Sequence, residues 1–264
     1  MFVNAKLKIA WAKHHIMDLD GKVDAYSAQH PLRIFRSFDG KTSQVTYTVK
    51  TEIPMPDEIP LIIGDAIHNL RSALDLLVYE LVGDKCETAR QRGQIQFPFS
   101  KSSQSFGATI KTRQIHLAGE KVVKEFHNLK PYPGGNEKLY AIHTLDITDK
   151  HKLIIPTSAN VGLTFSEFRE AMPEMPFRSK KNVSLVLSDG TRFTIDVPRP
   201  LGNRRTRRAA QMKTAPERKT KFKPTSNVCF SESQPFPMQP VVATLVALTK
   251  EADRVINAIT DAAR

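Results

Sequence analysis

Leu61-Ile62-Ile63-Gly64-Asp65-Ala66-Ile67-His68-Asn69-Leu70-Arg71-Ser72-Ala73-Leu74-Asp75-Leu76-Leu77-Val78-Tyr79-Glu80-Leu81-Val82 decides the fold. Its apolar positions Ile63, Ala66, Ile67, Leu70, Leu74, Leu77 and Leu81 recur at helical spacing, and Gly83-Asp84 stops the run. A helix this long and apolar is the centre of a helical body. Its other face is polar: at 100° per residue His68, Ser72, Asp75 and Tyr79 fall in a narrow arc flanked by Asp65 and Arg71.

Working outward, Phe2–Ala28 reads as a helix with an imperfect stripe of Leu7, Ile9, Ala10, Trp11, Ile16 and Leu19, ended by Pro31. Leu32 to Lys50 alternates around Phe38-Asp39-Gly40-Lys41, a hairpin signal. After the central helix come a loop with Phe97-Pro98-Phe99-Ser100 and helices near Ser103–Thr112 and Ala118–Asn128. A rigid turn follows, Pro131-Tyr132-Pro133-Gly134-Gly135-Asn136, and then a helix over Glu137–Lys150. Val183 to Ile195 reads as a second hairpin around Asp189-Gly190, Thr225 to Glu232 as one more strand, and Pro240–Ala263 as a closing helix. The expected class is α+β: an antiparallel helical bundle, its terminal helices packed on the two central ones, with two hairpin excursions forming a small sheet. A single domain is expected over 1–264, with its motif-bearing core at 60–155.

The 264 residues carry a net charge of +12. Between Asn203 and Lys223 nine basic residues face a lone Glu217, so eight of those charges sit in one stretch. That stretch is expected to be an exposed, flexible insertion. Its Arg204, Arg205, Arg207 and Arg208 are candidate contacts to an RNA or DNA backbone, and the alternative is a solubilising loop. Cys86 and Cys229 form no CxxC, and no stretch has the roughly 18 consecutive apolar residues of a membrane span. A cytoplasmic protein with no membrane partner is the expectation.

The second polar run, Asp146-Ile147-Thr148-Asp149-Lys150-His151-Lys152, lies on the Glu137–Lys150 helix. His143, Asp146 and Lys150 share one face there, with Asp149 and His151 splayed to either side. If the two polar faces oppose each other, a histidine can serve as acid or base, Arg71 or Lys150 can hold a phosphate, and Asp149 can orient His151. The candidate catalytic residues are therefore His68, Arg71, Asp75, Asp149, Lys150 and His151. No metal set is assigned: the His68–Asp75 spacing is i, i+7 and there is no HExxH. No cofactor loop occurs, and Ser72 lies mid-helix with no GxSxG elbow. Two alternatives stand beside a catalytic cleft: a solvated helix face with a simple Arg–Asp pair, and a buried polar network that fixes helix register.

Ile63 to Asp75, Phe97-Pro98-Phe99, Leu129-Lys130-Pro131-Tyr132 and Leu145 to Lys152 occur in that order. This arrangement resembles a widespread uncharacterised bacterial and phage family marked by GDxxHNLRSALDHL, PY and DKHR signatures. The resemblance spans about 60–155 and implies that both polar runs belong to one constellation. Leu76 stands where that family has a second His, and Lys152 where it has Arg. A fold-level resemblance to HEPN-type helical ribonucleases is also present; those join an Arg to a His four to six residues later, across a homodimer. No Arg precedes His151 at that distance, so Arg71 would have to come from the other helix. The bacterial and phage family brings no known activity. The charge balance and the His/Arg/Asp grouping motivate the expectation of a polar inter-helical cleft in a metal-independent RNase-like enzyme of a defence or toxin system, with a homodimer as the expected assembly. The rival is a non-catalytic interaction or nucleic-acid-binding protein.

Overall fold

The computed structural model describes residues 1–154, 156–161, 169–170, 186–196, 214–224 and 226–264. The protein is α+β. The chain groups into two compact units, one of residues 1–22, 57–155 and 230–264, the other of 23–56 and 156–229.

The first unit is helical. Its central α2 (Glu58–Val82) starts three residues before the sequence pattern suggests, because Pro60 falls in the first turn, where its missing N–H costs no helical bond. Buried residues run around most of α2, from Ile59, Ile63 and Ala66 to Leu70, Leu74, Leu77 and Val78, as a helix with neighbours on several sides requires. Helix α1 (Val3–Ser27) lies antiparallel to it. Glu80 of α2 accepts the otherwise orphaned N–H groups of Asn4 and Ala5 at 3.0 and 3.1 Å, Lys8 reaches Asn69, and Lys22 pairs with Glu58. Lys13 of α1 also bridges to Asp253 of the closing helix α7 (Val241–Ala262) at 2.7 Å. Between them run α3 (Ala89–Arg92), α4 (Ser103–Thr112), α5 (Glu120–Leu129) and α6 (Glu137–His151). Helix α6 packs on α2, and α7 packs on α2, α5 and α6.

The second unit holds two sheets. Strands β1 (Leu32–Asp39) and β2 (Gln44–Thr51) form the expected hairpin, Leu32 opposite Thr51 and Asp39 opposite Gln44. Their inward residues Leu32, Ile34, Phe38, Val45, Tyr47 and Val49 make the core of the unit. The remaining strands are β3 (Pro156–Val161), β4 (Val186–Ser188), β5 (Arg192–Asp196), β6 (Ala215–Lys219) and β7 (Asn227–Phe230). The orders are β5-β2-β1-β6 and β4-β3-β7. The expected second hairpin is therefore corrected: Gly190, at φ 80°, turns the chain as the Asp-Gly signal says, but β4 and β5 leave that turn for different sheets.

Part of the basic stretch is also strand. Arg204, Arg205, Arg207 and Arg208 lie outside the described residues, whereas Ala215–Lys219 pairs with β1 as the edge strand β6. Glu217 pairs there with Lys50, and Lys219 with Glu52. An edge strand so charged discourages pairing with other chains. Among the described residues no helix is long and apolar enough to cross a membrane. Both cysteines are free and buried, and burial pushes the Cys229 thiol up to about 11.

Candidate functional site

Helices α2 and α6 run antiparallel, and their polar runs meet at two levels. At the first, Gly64 of α2 faces Asp149 of α6. A Cβ on Gly64 would stand 2.5 Å from both carboxylate oxygens of Asp149, so only glycine admits this approach. Asp149 also accepts the backbone N–H of Ile154, and its burial raises its pKa above the usual carboxylate value. It does not orient His151, which is exposed at the end of α6. A Gly64→Ala protein should lose about 1–3 kcal/mol of stability, read as a lower urea midpoint, because the short, bonded Asp149 side chain must move.

One turn further along α2, His68 Nδ1 lies 3.0 Å from Asp146 Oδ1. Lys150 Nζ donates to the other oxygen of that carboxylate at 2.6 Å. The Asp146 side chain is 3 % exposed, while those of His68 and Lys150 are each 51 % exposed. A carboxylate on Nδ1 dictates the tautomer: Nδ1 carries the proton and donates it. Nε2 is left as a base, with Ser72 Oγ at 3.4 Å. The orienting carboxylate is thus Asp146 rather than Asp149, and the oriented histidine is His68 rather than His151.

Arg71 and Asp75 belong to a different arrangement. They pair with each other at i, i+4, but not on a solvated face, since Arg71 is buried. Asp75 Oδ1 also accepts the backbone N–H of Phe97 at 2.7 Å, and Ser100 N–H donates to Pro131 O at 3.1 Å. These bonds pin the Phe97-Pro98-Phe99 loop at both ends. Phe99 then stacks on His143 with centroids 4.6 Å apart, and the Arg71 guanidinium lies 4.7 Å from its ring. The rigid turn is built by Lys130, at φ 49°, and Gly134, at φ 77°, and Asn136 then caps α6 by accepting from Leu139 N–H. The four ordered motifs are therefore one physical assembly: Asp75 holds the loop, the loop holds Phe99, and Phe99 packs on the helix that carries Asp146.

His143 inside this assembly is held neutral. Burial first, and then the positive charge of Arg71, bring its pKa down to about 4, and Nδ1 meets no hydrogen-bond partner among the described residues. Its neighbours Asp146, Lys150 and Arg113 act on it more weakly than burial does. Between the ordinary value of 6.5 and 4 the unfolded chain binds a proton that the folded chain refuses. This residue's contribution therefore lowers stability as pH falls through that window. Urea unfolding at pH 7 and pH 5 should show the loss, and His143→Phe, which keeps the stack, should reduce it.

Two residues outside the candidate list thus carry the geometry, Asp146 and His143. The signal for the first was Gly64: glycine inside an apolar helix marks a close approach, and it sets the rotation of α6 that turns Asp146 toward His68. Among the described residues no group of three or more His, Cys, Asp or Glu side chains is placed to hold a metal ion. Comparison with known proteins gives no match to any family model, any curated protein or any solved structure.

Proposed function

We propose that the chain is a metal-independent ribonuclease-like phosphodiesterase whose general base is His68. One observation carries the reading: a buried carboxylate, Asp146, holds a half-exposed histidine by Nδ1 and leaves Nε2 as the base, with an exposed ammonium, Lys150, on the same carboxylate. In this mechanism His68 Nε2 takes the proton of a ribose 2′-OH. The 2′-oxygen attacks phosphorus, giving a 2′,3′-cyclic phosphate, and the 5′-oxygen leaves with a proton from water. Lys150 holds a non-bridging oxygen, and the net positive charge of the chain draws a polyanion in. Two buried free cysteines suit a reducing cytoplasm.

The Ser72–His68–Asp146 connectivity does not favour an acyl-enzyme hydrolase. Ser72 sits in the interior of α2, where backbone N–H groups are spent on helical bonds and none is left to form an oxyanion hole. A structural reading also has an observation behind it: both oxygens of Asp146 are satisfied within the protein. Cleavage of single-stranded RNA in EDTA by the parent protein and by His68→Ala separates the two. The enzyme reading expects cyclic-phosphate products from the parent alone; a parent without activity and a destabilised variant would support the network.

A further inference from the structure

Helix α1 buries one apolar seam, Phe2, Ala5, Ile9, Ala12, Ile16 and Leu19, whose residues recur at steps of three and four. Beside that seam Lys8, Trp11 and His15 stand at i, i+3 and i+7, on the flank that runs along α2. Three attachments fix this flank: Glu80 at the N–H groups of Asn4 and Ala5, Lys8 Nζ on Asn69 Oδ1 at 3.0 Å, and Lys22 on Glu58. Asn69 directly follows His68. Because the two helices are antiparallel, Trp11, one turn after Lys8, comes level with the turn of α2 that carries His68.

Asn69 is buried, and its amide nitrogen donates to Asp65 O at 2.8 Å, which fixes the oxygen that holds Lys8. That oxygen is neutral, so the Lys8 ammonium keeps its full charge and two further N–H donors. Among the described residues no carboxylate pairs with Lys8. Glu80 serves the start of α1, Glu58 and Asp18 act on Lys22, and the Asp65 charge is felt by Asp149 on the α6 side. His68 therefore has an ammonium on each flank, Lys150 from α6 through Asp146 and Lys8 from α1 through Asn69. Trp11 is 54 % exposed; its indole stacks on His14 at 4.9 Å and meets His15 edge-on at 5.5 Å. Those two rings orient the indole and leave about half of it to solvent.

We propose that Lys8 and Trp11 form a nucleotide subsite beside His68, where Lys8 holds a phosphate of the RNA strand and Trp11 stacks on an unpaired base. The inference rests on the ribonuclease reading of His68 and extends it to the substrate class. Two ammonium groups on either side of the base residue suit neighbouring phosphates of one strand. An aromatic ring stacks on any base but only on one free of its complement, so the subsite selects single strands over duplex. Neither residue reaches the reacting atoms, and both act through binding.

Trp11 is the chain's single tryptophan, so its fluorescence reports on the subsite directly. The probe is a short single-stranded oligoadenylate with 2′-O-methyl groups, which lacks the hydroxyl that the proposed chemistry needs. Titrated into the full chain at low salt, it should quench Trp11 saturably, whereas the same oligomer annealed to its complement should not. By anisotropy of the labelled oligomer, Trp11→Ala should weaken binding about tenfold and Trp11→Phe much less. Lys8→Gln should weaken it about fivefold and lower the slope of its salt dependence by about one. His68→Ala should still show the quenching. With cleavable RNA, Trp11→Ala should raise KM and leave kcat nearly unchanged. Absence of saturable quenching overturns the subsite, and where the parent still cleaves RNA the His68 reading survives it. Quenching without cleavage keeps the subsite and overturns that reading. Equal affinity in the parent, Trp11→Ala and Lys8→Gln proteins, or equal quenching by the duplex, would overturn the proposal and leave Trp11 and His14 as a surface stack only.

Discussion

Purified Asp75→Ala protein should unfold roughly 10 °C below the parent, a loss of about 3 kcal/mol. Two penalties combine. The Arg71 guanidinium stays buried with its carboxylate removed, and the Phe97 N–H loses its acceptor. Asp75 is itself a third exposed, which keeps the figure at the lower end for a broken buried pair. Asp75→Asn restores an acceptor for Phe97 without the charge and should recover about half of the loss. Trp11 is the chain's single tryptophan and sits on α1, so its fluorescence follows the helical unit in which this change occurs. A drop under 1 kcal/mol would mean that the Phe97-Pro98-Phe99 loop is held by something other than Asp75.

The second large effect is on rate. His68→Ala should lower RNA cleavage by about 10²–10⁴-fold, and Asp146→Asn by a similar factor, because an amide at Nδ1 no longer enforces the tautomer that makes Nε2 a base. Both proteins should stay folded. His68 is half exposed, and Lys150 still compensates Asp146 when the imidazole is gone. Ser72→Ala should change the rate by only a few-fold, since its hydroxyl merely occupies Nε2 at 3.4 Å in the resting site. A Ser72→Ala loss as large as that of His68→Ala would point to a serine nucleophile and away from ribose chemistry.

Much of the helical unit was legible because its long helices carry their signals locally. Pro60, Gly83 and the Ile/Leu periodicity bracket α2, and Asn136 marks the start of α6. The stripe of α1 was only half legible. Its buried seam uses small Ala5 and Ala12, while the larger Leu7 and Trp11 lie on the outside, so bulk pointed toward the wrong face. Strand partnership was not legible at Asp189-Gly190, because a turn signal sets local chain reversal and not which sheet receives each arm. In the site, both polar runs were visible, yet Asp146 and Asp149 differ by less than one helical turn. Which of them turns to His68 depends on how α6 is rotated on α2, a property of the pair of helices that the close approach at Gly64 determines. Arg71 and Asp75 look like a surface ion pair in one dimension. They become a buried brace only when the Phe97-Pro98-Phe99 loop folds over them.

In the proposed mechanism Asp146 orients His68, and His68 acts as a base on RNA without a metal. Incubating a 5′-labelled single-stranded RNA with the purified parent and His68→Ala proteins in excess EDTA tests it most directly, with product ends resolved by mass. The parent should release 2′,3′-cyclic phosphate fragments and the variant should lose at least about 100-fold in rate, with equal thermal midpoints. An inactive parent, or fragments released equally by the two proteins, would contradict it.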